Sequence, residues 1–132
     1  MKGVTLIEYL VHKNKLEDSI SEQDVFYLFS QIVEAVYELK ITTGLSHLDL
    51  KPDNIIITLD GEVKLIDFGL AHPANELTNK KSGTKEYLAP EVWMATQPGS
   101  KLGYIPCQVD VYNLGYILFM MTFIRHPFNS ND

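Results

Sequence analysis

From Asp110 to about Phe123 the chain reads as a helix that is apolar on nearly all sides. Such a helix has to be covered all round. In a chain of 132 residues it can only be the central pillar against which everything else packs. Its greasiest stretch, Leu114 to Ile124, falls well short of the ~18 apolar residues a membrane span needs, so no span is expected. Asp110 is expected in the first turn, where a carboxylate suits the helix dipole.

Composition narrows the functional classes. With 45% hydrophobic and 21% charged residues the chain is globular and long enough for one domain. A formal net charge of −6 lacks the basic face of a nucleic-acid binder. It is compatible with a nucleotide, whose charge magnesium and a few lysines can meet. Cys107 is the only cysteine, which excludes a disulfide framework or a cysteine metal site. No apolar signal core follows a basic start, and a reducing, cytoplasmic setting is the expectation. Arg125 is the only arginine, so planar two-pronged clamps on phosphate are almost unavailable.

No internal repeat or linker interrupts the chain, which is read as one piece of domain over 1–132. Thr5 to Lys13 is expected to form a short helix. Val25, Phe29, Ile32, Val36 and Leu39 recur at helical spacing and predict a longer helix from Ser21 to about Lys40. Ser21 with Asp24 marks its N-cap, Ile20 and Val25 a hydrophobic staple, and Gly44 its stop. Ile55–Thr58 and Val63–Ile66 flank Leu59-Asp60-Gly61-Glu62, a hairpin signal. From Gly69 to about Leu102 breakers abound and a mostly irregular stretch is expected; so long a loop inside a domain is usually functional.

Three segments carry chemistry: His47-Leu48-Asp49-Leu50-Lys51-Pro52-Asp53-Asn54, then Asp67-Phe68-Gly69, then Gly83-Thr84-Lys85-Glu86-Tyr87-Leu88-Ala89-Pro90-Glu91. Phosphoryl transfer asks a protein to position a nucleophile and neutralise phosphate charge. Asp49 could accept a hydroxyl proton, and Lys51 could reach the phosphate being moved. Asn54 and Asp67 offer oxygen to a hard cation such as magnesium, which takes only one or two ligands from protein. The hairpin folds the chain so that these two can face each other, and Gly69 would allow a sharp turn directly after the metal ligand. Taken singly, each segment has an ordinary structural explanation: a packed His47, or Asp49 and Asn54 capping local backbone. Their order and spacing together do not.

In that order the segments resemble the eukaryotic protein kinases, serine/threonine branch, over essentially the whole chain. The resemblance implies an α+β, mainly helical fold: the large C-terminal lobe, with a short hairpin beside the catalytic loop and the small lobe absent. It implies Asp49 as catalytic base, Lys51 as the phosphate-contacting lysine, and Asn54 and Asp67 as magnesium ligands. Thr84 would tie the substrate-docking loop to Asp49, and Ile56 would be the floor under adenine. His47 and Phe68 would stack, Asp110 would hold the catalytic-loop backbone, and Ile117 and Met121 would support the column under adenine. The cofactors implied are ATP and magnesium, and the substrate is a protein serine or threonine.

The chain departs from that pattern in places. Leu48 stands where an arginine usually precedes the catalytic aspartate, and Lys80 where a phosphothreonine is usual. Receptor and acceptor are missing together, which points to activation without loop phosphorylation. No Gly-rich phosphate loop or strand lysine is present, and Glu91 lacks its arginine partner. Two readings follow: a fragment of a working kinase, inactive alone, or a non-catalytic regulatory module. In either case the exposed cleft floor would suit a partner protein.

Overall fold

The computed structural model describes residues 2–128. Strand β1 (Gly3–Thr5) runs straight into helix α1 (Leu6–Lys15). Thr5 and Glu8 exchange side-chain and backbone hydrogen bonds in a full capping box at this junction. The helix thus starts one residue later and ends two later than the sequence suggests, because Thr5 is its cap. Helix α2 (Glu22–Thr43) opens on Ser21, whose hydroxyl accepts from the Asp24 amide at 3.1 Å. It closes on Gly44 at φ +73°, as the stop signal predicts, and its last residue, Thr43, lies three residues beyond Lys40. Ile20 and Val25 join one apolar cluster, as a staple requires.

Strand β2 (Leu45–Ser46) leads into the loop and a 3-10 turn at Pro52–Asn54. Strands β3 (Ile55–Thr58) and β4 (Val63–Leu65) form the expected antiparallel hairpin, with Ile55 opposite Leu65 and Ile57 opposite Val63. Gly61 supplies the positive φ of its turn, +81°. Strand β1 adds to the other edge of β3, so the sheet order is β1-β3-β4. Ile55 and Ile57 point into the core, and Ile56 between them is half-buried on the opposite face.

As expected, the stretch from Gly69 to Leu102 is mostly irregular, with only short elements in it. Strand β5 (His72–Pro73) pairs with β2, Lys85–Tyr87 makes a 3-10 turn, and Pro90 starts helix α3 (Pro90–Ala95). Proline at the first helical position forfeits only an amide that would be unpaired anyway. Helix α4 (Pro106–Phe123) likewise begins at a proline, a full turn before Asp110. Asp110 therefore lies outside the first turn, and its role as a dipole partner there is overturned.

Helix α4 is the pillar on one side only: Val109, Tyr116, Ile117, Met120 and Met121 are buried, whereas Val111, Leu118 and Phe123 are exposed, so the expected all-round cover is not found among the described residues. Ile117 and Met121 are fully buried with Leu6, Ile32 and Ile55, uniting α1, α2, β3 and α4 in one core. A second, smaller core gathers Leu48, Ala89, Val92 and Tyr104 beside the start of α4. The fold is mixed helix and sheet, with helix predominating.

Candidate active site

The site begins with Asp110. Its two carboxylate oxygens accept from the backbone amides of His47 (2.9 Å) and Leu48 (3.0 Å), more than sixty residues away in sequence. Burial pushes this carboxyl above the usual carboxylate range, against the opposing pull of the Leu48 and His47 amides. A carboxylate in this position holds the bend of the loop, where Leu48 is at φ +65°, a conformation a leucine adopts only under constraint.

His47 is the next anchor and is wholly buried. Its Nδ1 receives the Asp49 amide at 3.1 Å, and its Nε2 lies 2.8 Å from the Ile66 carbonyl. An amide can only donate and a carbonyl can only accept. Both bonds are satisfied together by the neutral ring carrying its proton on Nε2. His47 therefore bolts the loop to the strand end just before Asp67. Its ring meets Phe68 at 5.1 Å between centroids, the contact the sequence suggests, in a tilted rather than stacked arrangement.

Around Asp49 the side chains form one connected array. Lys51 Nζ donates to Thr84 Oγ1 at 2.7 Å, and Thr84 Oγ1 lies 3.0 Å from Asp49 Oδ1. An ammonium has no acceptor, so the threonine hydroxyl must pass its own proton toward the carboxylate. Asn54 Nδ2 donates to the Asp49 carbonyl (2.8 Å) and to its Oδ2 (3.2 Å). Asp49, Lys51, Asn54 and Thr84 are thus brought together across 35 residues of sequence. The Ile66 amide donates to the Asn54 carbonyl at 3.0 Å, which sets Asp67 beside Asn54 at the open end of the hairpin. Ile56 lies on the adjoining strand, on its non-core face.

The model of the family "protein kinase domain" matches residues 1–132. The chain belongs to the protein kinase family. Its relatives place it in the serine/threonine branch. It is 36% identical over 135 residues to the serine/threonine-protein kinase cds1 of Schizosaccharomyces pombe, covering 100% of this chain and 28% of that protein. It is 35% identical over 133 residues to the CBL-interacting serine/threonine-protein kinase 24 of Arabidopsis thaliana, covering 98% and 27% respectively. A putative serine/threonine-protein kinase of Mycoplasma genitalium shares 38% over 125 residues, 84% of this chain and 32% of that one. The chain thus spans roughly a third or less of the length of these kinases.

Within that family, magnesium is the cation to test against the donors present. Both hydrogen bonds of the Asn54 side chain use its nitrogen, so Oδ1 has no protein partner among the described residues. Asp67 contributes an exposed carboxylate whose one internal bond, from the Gly69 amide, is long at 3.4 Å. Two oxygen donors suit a hard cation that draws its other ligands from phosphate and water. Among the described residues no group of three or more His, Cys, Asp or Glu side chains converges on a cation position.

The chain turns directly after Asp67 as expected: the Ala71 amide donates to the Phe68 carbonyl at 3.0 Å, with Gly69 inside the turn. The left-handed residue is Asp67 itself, at φ +60°, and not Gly69. A Cβ on Gly69 would sit 3.3 Å from Asp67 Oδ1, a tight contact that a small shift of the carboxylate could relieve. Asp67 tolerates the conformation because a short polar side chain can bond its own backbone two residues on.

Sequence reasoning missed Gln31. From α2 its Nε2 donates to the Gly61 carbonyl (3.1 Å) and its Oε1 accepts from the Val63 amide (3.1 Å), clamping the hairpin that carries Asn54 and Asp67. A lone glutamine in a helix gives no signal of such a partner. Arg125, the only arginine, lies over the Phe119 and Phe123 rings. Glu91 makes no salt bridge among the described residues.

Proposed function

We propose that this chain is the catalytic part of the large lobe of a serine/threonine protein kinase, which transfers the ATP γ-phosphate to a serine or threonine hydroxyl of a protein. The observation that carries this reading is the array Lys51–Thr84–Asp49–Asn54, which joins the two segments a phosphotransferase must hold together. Asp49 is the proton acceptor: as the substrate oxygen bonds to the γ-phosphorus and the bond to the ADP oxygen breaks, the hydroxyl proton passes to its carboxylate. Lys51 keeps two further N–H donors for the transferring phosphate, besides the one given to Thr84. Asn54 Oδ1 and Asp67 hold magnesium, which neutralises phosphate charge when bound. Ile56 offers the apolar surface beneath adenine.

No described helix is long and apolar enough to cross a membrane. We place the protein in the cytoplasm, in keeping with an unpaired cysteine.

The test joins this chain to a protein-kinase small lobe and compares parent with Asp49→Asn. Turnover falls roughly 10²–10⁴-fold while ATP affinity stays nearly unchanged, as loss of a general base requires. Equal turnover in the two proteins would remove Asp49 from the role.

A further inference from the structure

The segment that follows Thr84 is packed through Tyr87 and Ala89, but the segment that precedes it is poor in anchors. Its lysines, Lys80 and Lys81, are exposed and make no salt bridge among the described residues. What meets it is Tyr104, just ahead of α4. The two backbones form an isolated antiparallel bridge, Thr78 amide to Tyr104 carbonyl at 3.1 Å and Tyr104 amide to Thr78 carbonyl at 2.8 Å. The Tyr104 hydroxyl then donates to the Lys80 carbonyl at 2.5 Å and lies 2.8 Å from Ser82 Oγ. With its one proton given to Lys80, it accepts from Ser82. Tyr104 is 3% exposed, and its ring packs in the small core that also holds Leu48.

Gly103 shows that this approach is built into the backbone. A Cβ at that position would lie 2.9 Å from Leu77 Cγ and 3.1 Å from the Thr78 carbonyl oxygen, so only glycine admits the neighbouring chain. After Ser82 the chain turns through Gly83 at φ +84° and delivers Thr84 to Lys51 and Asp49.

We infer that Tyr104 is a positioning residue: its hydroxyl latches residues 78–82 to the base of α4 and thereby sets Thr84 against Asp49. Every group in the latch is neutral. The loop is therefore ordered without a phosphate, and its order is insensitive to salt, unlike one held by ion pairs. The catalytic consequence rests on the kinase reading above; the latch itself does not.

The experiment uses the chain as it stands. Trypsin cuts after Lys80 and Lys81 when residues 78–82 open, and after Lys13 and Lys64 as internal references. Tyr104→Phe keeps the ring and deletes the hydroxyl. Cleavage at Lys80–Lys81 should rise roughly three- to tenfold, the scale of one or two lost hydrogen bonds, with the reference sites unchanged. Ser82→Ala should give a smaller rise, because the bond to the Lys80 carbonyl survives. The Gly83 and Thr84 amide resonances should shift in Tyr104→Phe while those of Ile57 and Val63 stay in place. Parent-like cleavage at Lys80–Lys81, a parallel rise at all four lysines, or unmoved Gly83 and Thr84 resonances would each overturn the proposal. Asp49→Asn should leave the cleavage pattern of the parent intact, so failure of the catalytic assignment and failure of the latch are read separately.

Discussion

Two regions furnish the site, and they are held in different ways. Residues 46–68 supply Asp49, Lys51, Asn54 and Asp67 on a framework of buried anchors: Asp110 beneath the loop, His47 within it, and a paired hairpin. Residues 69–105 supply Thr84 alone among the candidate residues. Their anchors are a two-residue strand, an isolated bridge, the Tyr104 hydroxyl, the burial of Tyr87 against Tyr116 and the small core of Ala89, Val92 and Ala95 around Leu48. The first region is preorganised by groups that cannot let go without stranding buried polar atoms. In the second, the part ahead of Thr84 rests on a few partly exposed bonds and so opens at lower free-energy cost. On the proposed reading, this division would keep the metal and proton-accepting groups fixed while the side facing substrate adjusts.

The comparison can be broken most forcefully at Asp110. Asp110→Ala leaves two buried amides without acceptors, at a cost of about 1–3 kcal/mol for each stranded donor. The urea midpoint should drop accordingly, and exchange at the His47 and Leu48 amides should accelerate. If the mutation instead loosened residues 78–82 and spared the loop, the division between the regions would be wrong.

A smaller effect is expected at Gln31. Gln31→Leu deletes both of its bonds to the hairpin and leaves the Val63 amide unpaired, for about 1–3 kcal/mol in all. Hydrogen exchange at Gly61 and Val63 should report it, with trypsin cleavage at Lys80–Lys81 unchanged. An unaltered hairpin would show that strand pairing alone orients Asn54 and Asp67.

The gentlest test uses alkali and probes where the second region rejoins the core. Burial raises the phenol of Tyr87 well above its ordinary value, and those of Tyr112 and Tyr116 move in the same direction. Above pH ~10 the unfolded chain, with ordinary tyrosines, loses protons before the folded one does. Folding stability should therefore decline as pH rises through that window. Urea midpoints together with the tyrosinate absorbance would follow this decline. A flat profile would mean that Tyr87 is not buried and that the second region lacks its anchor.

Much of the site is legible in the amino-acid sequence, because its residues lie in short runs whose spacing repeats a chemical task. Asp49, Lys51 and Asn54 sit within six residues, and the hairpin signal around Asp60-Gly61 brings Asp67 back beside them. The caps at Ser21 and Gly44 are equally local. The capping box at Thr5 and Glu8 obeys the same local rule, and it moves the start of α1 by one residue. Where the sequence is silent, the determinant lies far along the chain. The stretch 69–102 is mostly irregular as expected, and the short strand and helix within it owe their existence to β2 and to the small core around Leu48 rather than to their own periodicity. The sequence pattern puts the start of α4 a turn late, at Asp110. A proline such as Pro106 breaks a helix in its middle and begins one at its end, and only the packing of the preceding chain decides between the two.

The amino-acid sequence by itself determined that a largely apolar helix must pack against the rest of the chain, that a hairpin folds Asp67 back toward Asn54, and which residue types were available to accept a proton or bind a hard cation. These properties depend on neighbours within a few positions, where backbone geometry leaves little choice. Tertiary structure alone decided that Asp110 receives the amides of His47 and Leu48, that His47 is neutral with its proton on Nε2, and that the left-handed turn falls on Asp67. It also decided that the Tyr104 hydroxyl closes over Lys80 and Ser82. Most of these pair a donor with an acceptor far away in the chain, and which of many candidates meets which is settled only when the packed core has excluded water and left a single partner within reach.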